Sequence, residues 1–155
     1  MGSKNALAVM DDGDMEIAVA AALGGAFGGT GQKCTASSRL IVHSAVHDEF
    51  VERLAAGAAA MVVDNALKDG TQIGPVVSQA QLDENMAYME LAKSEGGEII
   101  CGGDRVSRDT DGYYMTPAVV AGTSNDWRIN IEEMFAPIAC VIKADSYDEA
   151  LHLVN

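Results

Sequence analysis

Basic residues are scarce in this chain, 10 Lys and Arg against 23 Asp and Glu over 155 residues, which leaves a formal net charge of -13. A surface so acidic repels phosphate backbones and anionic lipid, so nucleic-acid and membrane-surface roles are not expected. Long hydrophobic runs are missing too. The apolar run that includes Ala18 to Leu23 is far short of a membrane span, and the N-terminus lacks the charged, apolar and small-residue regions of a secretory signal. These absences predict a soluble, cytoplasmic protein. Cysteine is limited to Cys34, Cys101 and Cys140, an odd number with no CxxC pair, in a chain large enough to fold without disulfide staples. Reduced thiols are expected. His43, His47 and His152 do not fall at spacings that build a zinc site with those cysteines, so no metal is predicted. Internal repeats and low-complexity linkers are also absent. The length suits one domain that buries roughly two thirds of the surface of its unfolded chain.

What is present alternates between strands and helices. Asn5 to Met10 reads as a buried strand running into Asp11-Asp12-Gly13-Asp14, with Asp14 placed to cap a helix from Met15 to about Phe27. Alanine dominates that helix and apolar residues occupy several of its faces, which predicts that it is largely buried. Glycines at 24, 25, 28, 29 and 31 loosen and end it. Arg39 to His43 reads as a strand and Val46 to Met61 as an amphipathic helix, with Phe50, Leu54 and Met61 apolar. Ser78 caps a helix from Gln79 to Ser94 that ends at Gly96-Gly97, and Glu98 to Cys101 returns as a strand. Tyr113 to Val120, interrupted by Pro117, predicts an edge strand or extended connection. Ala139 to Ala144 is a further strand, and Asp148 to Asn155 opens a helix. The order implies an α/β fold with a mainly parallel sheet flanked by helices.

Chemistry concentrates in Gly28 to Arg39, GGTGQKCTASSR. A phosphate cradle fails on spacing: Gly31 and Lys33 are separated by one residue, a cysteine follows the lysine, and no GxGxxG is present. Cys34 on a turn between helix and strand, flanked by small residues, leaves room for a substrate and for backbone N–H groups facing an oxyanion, with Lys33 able to favour the thiolate. A small buried hydrophobe is the usual fate of a free cysteine, and composition leaves both readings open. Elsewhere, Asp11, Asp12, Asp14 and Glu16 fit capping and the helix dipole rather than a carboxylate site. His43 and His47 read as solvated surface residues, and the eight methionines as core.

Gly31-Gln32-Lys33-Cys34-Thr35-Ala36-Ser37-Ser38-Arg39 closely resembles the nucleophile signature of the NAD(P)-dependent aldehyde dehydrogenase superfamily. The likeness continues in order through Gly2-Ser3-Lys4-Asn5, Ile73-Gly74-Pro75-Val76-Val77, Gly112-Tyr113-Tyr114 before Pro117, and Glu132-Glu133-Met134-Phe135-Ala136-Pro137-Ile138. It implies an aldehyde dehydrogenase catalytic-domain fold, incomplete, over residues 1–155. It also implies an oxidoreductase chemistry in which Cys34 attacks a small aldehyde, hydride passes to NAD or NADP, and a thioester is hydrolysed to a carboxylic acid. Glu133 matches the glutamate that holds the nicotinamide ribose, and Phe135 the phenylalanine that positions the cofactor. GSKN and GTGQKCTASSR look most like the branch that oxidises α-ketoglutaric semialdehyde. Two departures stand out: Ser3 replaces a common glycine, and Ala136 replaces another, so the turn before Pro137 must avoid positive φ or be strained.

The resemblance further places the water-activating glutamate one residue before Met1, the dinucleotide-binding domain upstream, and the oligomerisation segment beyond Asn155. A partial catalytic domain of this kind is expected to bind cofactor poorly alone. Its uncovered apolar surface and strand edges predict a homo-oligomer. A stand-alone, non-catalytic remnant acting by self-association or partner binding is the alternative.

Overall fold

The structure, a computed structural model, describes residues 3–155. Met1 and Gly2, including the first position of the Gly2-Ser3-Lys4-Asn5 match, lie outside the described residues. The elements run β1 (Asn5–Val9), α1 (Met15–Phe27), a 3-10 turn (Gly28–Gly31), β2 (Ser37–His43), α2 (His47–Ala59), α3 (Gln79–Glu95), β3 (Glu98–Cys101), β4 (Arg105–Val106), β5 (Tyr114–Met115), β6 (Ala118–Ala121), α4 (Arg128–Ile131), β7 (Ile138–Ala144) and α5 (Tyr147–Val154). Five strands form one sheet in the order β1-β2-β7-β6-β3, parallel except for β3 against β6, and β4 and β5 make a separate antiparallel pair. This is the mainly parallel sheet flanked by helices that the strand-helix alternation implies.

Local chemistry explains most boundaries. Asp14 Oδ1 accepts from Ile17 N at 3.0 Å to start α1, and Ser78 Oγ accepts from Gln81 N at 3.2 Å to start α3. Gly96 ends α3 in the left-handed region at φ 100°, a conformation that costs glycine little. Along β7, Ala139 and Val141 join Leu40, Val42, Phe27, Phe50 and Leu54 in the core beneath α1 and α2, whereas Ile138 and Cys140 pack with Ile129, Met134 and Leu82 beneath α3 and α4. Alternation along a doubly covered strand thus builds two apolar layers.

Three expectations are corrected. Tyr113 to Val120 is neither one edge strand nor only an extended connection: Tyr114–Met115 pairs with β4, and β6 begins just after Pro117, fully buried between β3 and β7. Pro117 has no N–H to give a ladder, so it sits in the break and the interior strand starts beyond it. Second, α1 is not largely buried: only Ala22, Ala26 and Phe27 are, and Ile17 is 69% exposed. The helix packs on α2 along one side, where Leu23 lies against Gly57, and alanine reports helix propensity without reporting burial. Third, His47 is buried rather than solvated; its Nδ1 lies 2.7 Å from Asp48 Oδ1, which holds that carboxyl below its usual range.

Candidate functional site

The turn after α1 is built from consecutive left-handed residues. Gly29, Thr30 and Gly31 adopt φ of 63°, 60° and 65°, and a β-branched residue tolerates this only when held from outside. Thr30 is buried, and its Oγ1 donates to Gly74 O at 3.3 Å, which ties the Ile73-Gly74-Pro75 segment to the turn. Gly31 is irreplaceable on two counts: its φ is positive, and a Cβ there would lie 2.2 Å from Ala136 O. That close approach presses the turn against Glu132 to Pro137.

Cys34 follows on the exposed side of this turn, which Ala36 N closes by donating to Lys33 O at 3.0 Å. A small buried hydrophobe describes Cys140, not Cys34. Lys33 folds back over Gly28 and Gly29. The Cys34 carbonyl accepts from Ser3 Oγ in a short contact and from Asn5 Nδ2 at 2.7 Å, while the Cys34 N–H has no partner among the described residues. Parallel pairing explains the meeting, because Asn5 aligns with Ser37 where β1 and β2 begin, so their leads lie side by side.

The two glutamates before β7 part company. Glu132 accepts from Arg128 Nε at 2.8 Å and Nη2 at 3.2 Å and from Tyr88 OH at 3.2 Å, and the guanidinium holds its carboxyl below the usual range. Glu133 faces the cysteine turn instead, its Oε1 accepting from Ser3 N at 3.0 Å while Oε2 has no partner among the described residues. Phe135 is 38% exposed beside it at φ 53°. Ala136 therefore avoids the left-handed region, and the preceding phenylalanine carries that conformation instead. Ser3, Lys33, Ala36, Ser38, Glu133 and Phe135 border a cavity of about 10 Å³, room for about one water. A free carboxylate oxygen next to an exposed ring suits the diol and flat face of a nicotinamide riboside, so the residues present fit that group.

The structure therefore brings Glu133 and Phe135 to one small cavity, with Ser3 linking Glu133 to the Cys34 carbonyl beside it. It sets Ile73 to Val77 and Gly112 to Tyr114 apart as a brace, with Val76 N donating to Tyr113 O at 2.9 Å. Sequence reasoning treated Ser3 as part of a motif and as a departure from a common glycine, and missed its contacts. It also missed Lys4, whose Nζ is buried without a partner among the described residues, and whose ammonium burial pulls down to about 8. The signal was available, since both residues belong to a motif that directly precedes a strand.

Residues 1–155 match the family model described as the aldehyde dehydrogenase family. The α-ketoglutaric semialdehyde dehydrogenase of Bacillus subtilis is 40% identical over 157 residues, covering 100% of this chain and 32% of that protein. The betaine aldehyde dehydrogenase of Rhizobium johnstonii is 38% identical, again over 100% of this chain and 32% of its own length. Among solved structures, betaine aldehyde dehydrogenase from Staphylococcus aureus in complex with NAD+ superposes with a TM-score of 0.96 at 35% identity, covering 100% of this chain and 31% of that one. The chain thus spans about a third of the length of the relatives it matches.

Proposed function

Since the chain belongs to the aldehyde dehydrogenase family, we propose that it is the nucleophile-bearing part of a catalytic domain, with Cys34 forming a covalent bond to an aldehyde. The observation that carries this reading is the exposed Cys34 on a turn whose carbonyl two side chains hold, one of which, Ser3, also binds Glu133. The Cys34 thiolate adds to the carbonyl carbon; a C–S bond forms and the π electrons move to oxygen, giving a tetrahedral thiohemiacetal. The free N–H of Cys34 is one donor for that oxyanion. Glu133 would receive ribose hydroxyls on its Oε2 and Phe135 would offer a face to the nicotinamide ring, where a bound NAD or NADP would supply the acceptor for the hydride of the adduct carbon. The relatives' aldehydes, α-ketoglutaric semialdehyde and betaine aldehyde, are the first substrates to try.

The test is site-resolved alkylation by mass spectrometry. Cys34 is expected to react before Cys101 and Cys140, and saturating aldehyde is expected to protect it, with both effects gone in C34S. Labelling of Cys34 only on unfolding, or no protection by either aldehyde, overturns the proposal. We also infer self-association, because among the described residues β1 leaves one edge of the sheet unpaired and Leu151, in α5 packed against β1, is exposed.

A further inference from the structure

Ser3 touches both halves of the proposed site. Its Oγ donates to the Cys34 carbonyl, its N–H donates to Glu133 Oε1 at 3.0 Å, and the same Oγ lies 3.5 Å from that carboxylate oxygen. Any residue at position 3 keeps the N–H bond. Only a hydroxyl adds the second, and the resemblance gives many members a glycine there.

We propose that Ser3 is a positioning residue that locks the nucleophile turn to the cofactor-side carboxylate. The proposal deepens the reading of Cys34 as nucleophile and Glu133 as ribose acceptor, and it rests on that reading. Cys34 sits on an exposed turn closed by one backbone bond, from Ala36 N to Lys33 O. Such a turn opens readily unless side chains hold it. Ser3 Oγ and Asn5 Nδ2 both donate to one carbonyl oxygen, which holds the Cys34–Thr35 peptide plane and restrains ψ of Cys34. Restraining that torsion restrains where the Cys34 Cα–Cβ bond points relative to the anchored carbonyl, and so where the sulfur lies relative to Ser3 and Glu133, the orientation an attacking group requires. The hydroxyl has one hydrogen for two acceptors, Cys34 O and Glu133 Oε1. Anything that draws Glu133 towards a ligand leaves that hydrogen wholly to the cysteine turn, so occupancy on the cofactor side tightens the nucleophile side.

Hydrogen exchange on the full chain tests this, comparing wild type with S3A, S3G and S3T. Alanine removes the hydroxyl without adding backbone freedom, and threonine restores it. Peptides covering 31–38 are expected to exchange about fivefold faster in S3A and S3G, the loss of one ordinary hydrogen bond, and at the wild-type rate in S3T. The rate of Cys34 alkylation is expected to change in S3A and to return in S3T. Unchanged exchange in S3A, or exchange in S3T as fast as in S3A, overturns the proposal. Failure of aldehyde to protect Cys34 in the wild type would sink the nucleophile reading while leaving the exchange result to stand or fall by itself.

Discussion

Replacing Lys4 with methionine should stabilise the protein at neutral pH and do so less as pH rises. Burial pulls the Lys4 ammonium from 10.5 to about 8, with opposing attraction from Cys140, Glu133 and Glu132 and repulsion from Arg39. The folded state therefore binds fewer protons than the unfolded chain between about pH 8 and 10.5. Stability rises with pH wherever the unfolded state holds the extra proton, so the cost of burying the charge is full below pH 8 and relieved as pH climbs to 10.5. The difference of 10.5 - 8, about 2.5 pH units at about 1.36 kcal/mol each, sets that cost near 3 kcal/mol. A thioether fills similar space without a charge, and such replacements stabilise by about 1–4 kcal/mol in other proteins.

Urea unfolding read by the fluorescence of Trp127, the only tryptophan, measures this. With a slope of about 2 kcal/mol/M for a chain of this size, K4M should unfold about 1.5 M later at pH 7. The gap should close through pH 8 to 10. Burial also pushes the Cys140 thiol up to about 12, so the folded state keeps a proton that the unfolded chain loses from about pH 9, and stability falls there in both proteins. Comparing variant with wild type at each pH separates the two effects. A constant gap from pH 7 to 10 would refute Lys4 as the titrating group. A K4M protein less stable at pH 7 would show that attraction to the neighbouring carboxylates outweighs burial.

Phe135 occupies the left-handed region at φ 53° with its ring partly in solvent, so F135G should relieve about 1 kcal/mol of backbone strain and unfold at the same or higher urea concentration. A drop in stability above about 1 kcal/mol would show that the ring packs more than it strains. Self-association should appear in sedimentation velocity at micromolar concentration as a dimer or larger species, weakened by a lysine in β1 such as A8K; a monomer throughout that range removes the inference.

The elements that were legible share a local cause. Asp14 and Ser78 cap helices by their own side chains, and Gly96 ends one through its own backbone, so a window of a few residues is enough to read them. What escaped reading depends on neighbours distant in sequence. The interior position of Ala118–Ala121 follows from pairing with β7 and β3, and its apolar run of four looks the same at an edge. His47 is buried by how α2 lies on the sheet, and nothing in His47-Asp48-Glu49 announces that. Cys34 was found through the likeness of its flanking residues, while its anchors were not, because Ser3 and Asn5 reach it only through the register of β1 on β2.

That register also explains why motifs so far apart in the chain meet where they do. Ser3 precedes β1, Cys34 precedes β2 and Glu133 to Ala136 precede β7, and these three strands are parallel. Each motif is therefore the lead into a strand, and parallel pairing stacks the leads at the amino end of the sheet. Open α/β sheets ordinarily bind ligands outside the carboxyl ends of their strands, where this fold offers Asp11 to Asp14 and Ser44 to Val46 instead. The fold rule alone would point to the side of the molecule away from the proposed site. Placing each motif relative to its strand points to the amino end instead, and it makes the geometry around Cys34 a product of strand order: exchanging the places of β1 and β6 would leave every motif intact and still take Ser3 from beside the cysteine turn.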